Sequence, residues 1–150
     1  MKPQLAGVGT LILILLGNVL QVVAQDYRGA VTCAELNWSP QVLAANPDIA
    51  LACRGVFEKD DILYAQALIE VVRVKGNTMT FRTQRTDGSL GKPRTVNLKQ
   101  GWRVQLDGRE YRASDLLPGQ QLRVYMPQDK FGLALEDDDG PDAAEVIEIQ

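Results

Sequence analysis

The chain has no histidine in its 150 residues. Without imidazole there is no Ser-His-Asp or Cys-His relay, and the commonest metal ligand and the easiest general base near neutrality are both missing. Cysteine is scarce as well. Cys33 and Cys53 are the only two, and their spacing is not the C-x-x-C of a redox pair. Two thiols also make an incomplete zinc shell. Neither G-x-x-x-x-G-K-[ST] nor G-x-G-x-x-G occurs, so no nucleotide loop is expected. The last twenty positions hold no basic residue, and beyond Ala24 no apolar run approaches the length of a membrane span.

Carboxylates are present, but their placement argues for turns rather than chemistry. Asp60 with Asp61 and Asp107 with Glu110 are the close pairs. Glycosidic hydrolysis needs two carboxylates facing each other across a cleft. Asp107 instead opens an Asp-Gly turn, and Asp60 and Asp61 read as loop residues. The run "EDDDGPD" invites a calcium reading through Asp137, Asp139 and Asp142, but the EF-hand register fails. The expectation is a protein that is not an enzyme and that carries no cofactor and no metal.

What is present first suggests export. "MKPQ" carries one charge, Lys2, and precedes the apolar run "LAGVGTLILILLGNVLQVVA", with small residues at Val22 and Ala24. That is a secretory signal peptide pattern, cut after Ala24. Periplasmic localisation follows. The alternative is an uncleaved segment anchoring the protein to the inner membrane. The mature part, 25–150, would hold 15 basic and 19 acidic residues. The balance is uneven: residues 54–130 carry 14 basic against 9 acidic, and residues 131–150 carry 7 acidic. A mildly basic body thus bears an acidic tail, which either keeps the end solvated or covers a basic face of the body.

Four segments follow: a signal peptide over 1–24, a helical clip over 25–54, a small β-barrel over 55–136 and an acidic tail over 137–150. Two cysteines beyond a signal peptide imply one disulfide, Cys33 to Cys53. Inside that loop "SPQVLAA" and "NPDIALAC" each begin with a polar-proline pair, so Ser39 and Asn46 are expected to start short helical turns. Trp38, Val42, Leu43, Ile49 and Leu51 are expected to pack the clip as a cap over the barrel end.

From Arg54 the texture is β. "VFEKDDILYAQALIEVVRV" alternates imperfectly, and a bulge near Val71 and Val72 would reconcile its phases. Gly76 and Asn77 form a tight turn. Met79 and Phe81 point inward; residues 85–93 form a loop; Val96 and Leu98 belong to a short strand. In "VQLDGREYRASDLLPGQQLRVYMPQ" the Asp107-Gly108 pair is a strong hairpin signal. Ser114 caps a turn that Pro118-Gly119 closes. Val104, Leu106, Leu122, Val124 and Met126 take the inward phase, and Arg123 and Tyr125 the outward phase. "KFGLALE" reads as a late strand, and "VIEIQ" as a short edge strand or none. Five to seven short strands with hairpin turns answer to a mainly β fold, a small OB-like or SH3-like barrel preceded by the disulfide-linked helical segment. A β-sandwich is the runner-up.

Asp107, Gly108, Ser114, Asp115, Leu116, Gly119 and the strand 122–126 together resemble a unit found in small OB-like domains of exported bacterial proteins. "VVRVKGNTMTFRT" resembles the hairpin preceding that unit. The resemblance covers about residues 68–127 and rests on turn chemistry. It implies an OB-like barrel and brings no catalytic residues.

The function expected is therefore binding. Arg103, Arg109, Tyr111, Arg112, Arg123 and Tyr125 form the candidate surface. A protein of the cell envelope is the first expected partner, and an anionic lipid headgroup or acidic glycan the alternative. A structural role without a small ligand is the third reading. Nucleic acid has basic and aromatic residues in its favour, including Arg82 and Arg94, but export and the acidic tail oppose it. Oligomeric state is not legible.

Overall fold

A computed structural model describes residues 31–137, 140–142 and 146–150. The expected signal peptide lies outside the described residues. Among them no helix is long and apolar enough to cross a membrane.

The clip forms as local chemistry dictates, with one correction. Ser39 caps α1 (Pro40–Ala45), its Oγ accepting the Val42 N–H at 3.2 Å, with Pro40 at the first helical position. Asn46 does not start a second helix. Its N–H donates to Val42 O at 2.8 Å and ends α1, and the next turn is a 3₁₀ segment at Ile49–Ala52. Another 3₁₀ turn, Cys33–Glu35, is held where the Thr32 N–H and hydroxyl donate to the Glu35 carboxylate at 2.6 and 2.8 Å. Those bonds hold Glu35 below its ordinary pKa. Cys33 and Cys53 are joined, with Cα atoms 5.9 Å apart. Trp38, Val42, Ile49 and Ala52 enter the same core as the barrel strands. Leu43 and Leu51 do not: they are 41% and 53% exposed. A six-residue helix offers one inward stripe, and Val42 occupies it.

The barrel is organised by one long strand. β1 (Gly55–Lys59) and β2 (Ile62–Lys75) are joined by Asp60 and Asp61, whose φ of 53° and 61° give the left-handed backbone of a two-residue hairpin. Aspartate tolerates that region better than most residues. β2 then pairs with three strands. Its first part pairs with β1 and its last part with β3 (Thr78–Gln84), while β7 (Gln121–Pro127) runs along the other edge from Tyr64 to Glu70. The expected bulge is there, as a register shift between Val71 and Arg73. It moves the inward phase from Ala65, Ala67, Ile69 and Val71 to Val74, so Glu70 and Arg73 both stay outside the core. The Val71 backbone is further clasped by Gly119 N–H (2.7 Å) and Gln120 O (2.8 Å), which is where the Pro118-Gly119 turn docks.

β4 (Leu90–Asn97) starts earlier than expected, so the loop shrinks to residues 85–89. Gly91, Lys92 and Pro93 had hidden it, because this stretch lacks inward apolar residues and pairs with β3 through a second irregularity. β5 (Arg103–Leu106) and β6 (Arg109–Arg112) form a separate two-stranded ribbon across Asp107 (φ 50°) and Gly108 (φ 74°). Ser114 lies within the 3₁₀ turn Ala113–Asp115 rather than capping it; the Asp115 carboxylate accepts the Arg112 N–H at 2.8 Å. β8 (Gly132–Asp137), β9 (Gly140–Pro141) and β10 (Ile147–Glu148) complete the chain.

The main sheet runs β10-β8-β7-β2-β3-β4, with β1 on β2 and β9 on β8. It curls into an OB-like half-barrel. A bridge between Val96 and Ile149 links the two ends of that order, and Gln150 N–H donates to Thr95 O at 2.9 Å. Within the segment 137–150, read as an acidic tail, the described residues thus contribute paired strands; residues 138, 139 and 143–145 lie outside the description.

Two measurements check this packing. Replacing both cysteines by serine removes a loop constraint worth about 3 kcal/mol, so denaturant unfolding should shift by that order. A Cβ on Gly132 would meet Ile147 O at 2.9 Å, a backbone atom that cannot swing aside. Gly132→Ala should cost roughly 1–3 kcal/mol by overpacking, and should raise amide exchange first at Ile147 and Ile149.

Candidate binding surface

The structure divides the six expected surface residues. In the β5–β6 ribbon, Arg103 lies opposite Arg112 and Gln105 opposite Glu110, so these four share one face. Val104 and Tyr111 are also opposite each other, on the other face, and both pack against the core. Tyr111 is accordingly half-buried rather than presented. Arg109 is exposed beside the Asp107-Gly108 turn. Arg123 is exposed on β7, in the other sheet, opposite Leu68 of β2.

Tyr125 is not on the surface. It is 1% exposed. The outward phase expected for it is correct, but that side of β2, β7 and β8 carries a small second core of Tyr64, Tyr125 and Ala134, with Ile62 and Val146 against it. Phe57 meets the Tyr125 ring edge-on at 5.2 Å, and Gln66 Nε2 donates to its hydroxyl at 3.4 Å. Burial, with help from Asp129 and Asp60, raises the pKa of neighbouring Tyr64 above its ordinary value.

What the fold does bring together is Arg103 and Arg112 with residues that sequence reasoning passed over. The chain between β4 and β5 is pinned by Leu98 N–H on Asn77 O (2.7 Å) and turned by Trp102 N–H on Lys99 O (3.1 Å), with Gly101 at φ 79°. This sets Lys99 and Trp102 beside the β2–β3 turn. The result is a depression of about 500 Å³ lined by Lys99, Arg103, Arg112 and Trp102, with neutral Asn77 and Ser114. Among the described residues its lining includes no carboxylate. Trp102 is 6% exposed, and its buried Nε1 has no hydrogen-bond partner among the described residues. Like charges directly opposite each other across a strand pair repel. Glu110 offsets part of this by meeting Arg103 at 3.0 Å, yet both side chains are about half exposed, and such pairs are worth about 0–1 kcal/mol. The signal in the sequence was "KQGW", three side-chain donors around a turn glycine.

A second pocket, about 100 Å³, lies between the clip and the β3–β4 hairpin. Its arginines already serve the fold. Arg85 pairs with Asp48 at 2.9 Å, and Arg94 donates to Ala45 O at 2.7 Å and lies over the Phe131 ring. Arg82, on β3, has its Nε buried without a partner among the described residues. These arginines tie the clip to the barrel or sit in its wall, and they do not converge with Arg103 and Arg112.

Among the described residues no group of three or more Cys, Asp or Glu side chains is placed to hold a metal ion. The arrangement offers hydrogen-bond donors and positive charge, the equipment for holding an oxyanion. Burial of Tyr125 sets one test: Tyr125→Ala should destabilise the fold by about 3–5 kcal/mol, as large aromatic truncations in cores do, whereas a surface position would move it by only ~0.5 kcal/mol. Chemical denaturation distinguishes the two. Compared with known proteins, the chain matches no family model, no curated protein sequence and no solved structure.

Proposed function

We propose that this protein is an exported, non-enzymatic binding module of the cell envelope, and that it holds an anionic group at the β5–β6 end of the barrel. The supporting observation is the lining of the 500 Å³ depression: three cations, Lys99, Arg103 and Arg112, and no carboxylate among the described residues. A site with three cations and no carboxylate among the described residues favours phosphate or carboxylate oxygens over a neutral or cationic ligand. The periplasm, expected from the N-terminal pattern, supplies such groups on lipid headgroups and acidic glycans.

Leu43, Leu51, Phe57 and Leu117 are exposed apolar side chains and support a second reading, docking to an envelope protein. The two readings respond differently to salt. Retention on phosphatidylglycerol vesicles or on an immobilised acidic polysaccharide should weaken as salt rises. A double Arg103→Gln/Arg112→Gln variant should elute at distinctly lower salt. If retention is absent from both matrices, or indifferent to salt and to these arginines, the anionic reading is wrong. Loss of envelope pull-down partners on Leu43→Ser/Leu51→Ser would then favour the protein reading.

A further inference from the structure

The Lys99–Arg103–Arg112 depression has a neighbour on the far side of the β2–β3 turn. There a second depression, about 230 Å³, is lined by Arg73, Lys75, Thr78, Thr80 and Thr95. The pairing registers explain why these residues gather. Arg73, Thr80 and Thr95 are mutually opposite across β2, β3 and β4. Lys75, Thr78 and Asn97 form the next row on the same face. The alternate residues, Val74, Met79 and Val96, point into the core. The outer face of the sheet thus presents two cations at the ends of rows of hydroxyl and amide groups. Arg73 and Lys75 are exposed and form no ion pair among the described residues. Among the described residues no carboxylate is in the lining. Lys75 and Thr78 line one depression and Gly76 and Asn77 the other, so only the turn separates them.

We propose that the two depressions form one continuous site for a linear acidic polysaccharide, whose acid groups meet Lys99, Arg103 and Arg112 on one side of the turn and Arg73 and Lys75 on the other. This rests on the anionic reading above and narrows it. Four observations select the ligand class. Cations distributed on both sides of a turn suit a flexible chain better than a flat bilayer. None of the exposed large apolar residues, Leu43, Leu51, Phe57 and Leu117, lines either depression, so the apolar insertion that usually accompanies surface binding to lipid is missing. No exposed aromatic ring lines either one, Trp102 being buried, so the stacking platform for single-stranded nucleic acid is missing too. Threonine hydroxyls and asparagine amides beside cations match a chain that alternates carboxylates with hydroxyls.

The test uses the full mature chain, with polygalacturonate and its short oligomers, phosphatidylglycerol vesicles and a single-stranded oligonucleotide as probes. Affinity should rise with oligomer length and be highest for the polymer. Arg73→Gln/Lys75→Gln should weaken polymer binding by roughly tenfold, exposed charge contacts being worth a few-fold each, and should flatten its salt dependence. The same variant should weaken the polymer more than the shortest binding oligomer, so that the gain in affinity with length is lost. Both substitutions are at exposed positions, and thermal unfolding verifies that the fold persists. If this variant is silent while Arg103→Gln/Arg112→Gln weakens binding, the continuous site is refuted and the single anion site stands. Tighter binding of vesicles or oligonucleotide than of polygalacturonate overturns the ligand class. If none of the four probes binds, both proposals fall.

Discussion

Everything in this fold hangs on the backbone pairing of β2. A strand of 14 residues is long for a small barrel, and it can be that long only because it changes partners along its length. β1 and β3 divide one edge, and β7 occupies the other. A straight strand could not serve a curled sheet. The bulge at Val71 and Val72 supplies the bend, and the turn at Gly119 and Gln120 satisfies the Val71 N–H and C=O that the irregularity would otherwise strand. The bulge, the Pro-Gly turn and the arrival of β7 are thus one device. By keeping Arg73 and Lys75 on the outer face, the same phase change also leaves positive charge beside the β2–β3 turn.

The two sides of the sheet have different fates at its two ends. Near β1 and the C-terminal strands, the outer face is covered: Tyr64 and Tyr125 are sealed by Phe57, Ile62 and Val146. Near the β2–β3 turn the outer face is open and cationic. Alternation along a strand reports which side a residue takes, but it cannot report whether that side is later covered. This is why Tyr125 and Arg123, nearly adjacent outward residues on one strand, end at 1% exposure and at the surface respectively.

The clip shows the same division on a smaller scale. Ser39 and Pro40 announce a helix start, and two cysteines announce a closure; both are local facts. Asn46 and Pro47 carry the same kind of signal and yet end a helix rather than begin one. Their role depends on where the chain must turn to bring Ile49 and Ala52 onto the barrel. Leu43 and Leu51 look like core residues by composition. Which apolar residue of so short a helix faces inward is decided by the surface it docks against, through Ser39 N–H on Gln128 O at 2.9 Å and Arg94 on Ala45 O.

By itself the sequence determined the mainly β class, the disulfide between its two cysteines, the Asp-Gly and Gly-Asn hairpins and the inward row of Met79, Phe81, Leu122, Val124 and Met126. These follow from period-two patterning and from residues whose backbone preferences act within a few positions. Only the tertiary structure decided that Tyr125 is core, that β4 begins at Leu90, and that Lys99 and Trp102 join Arg103 and Arg112 around one depression. Those outcomes depend on which distant segments meet. A pairing such as Val96 with Ile149 joins residues 53 positions apart, and no local preference of either residue encodes it.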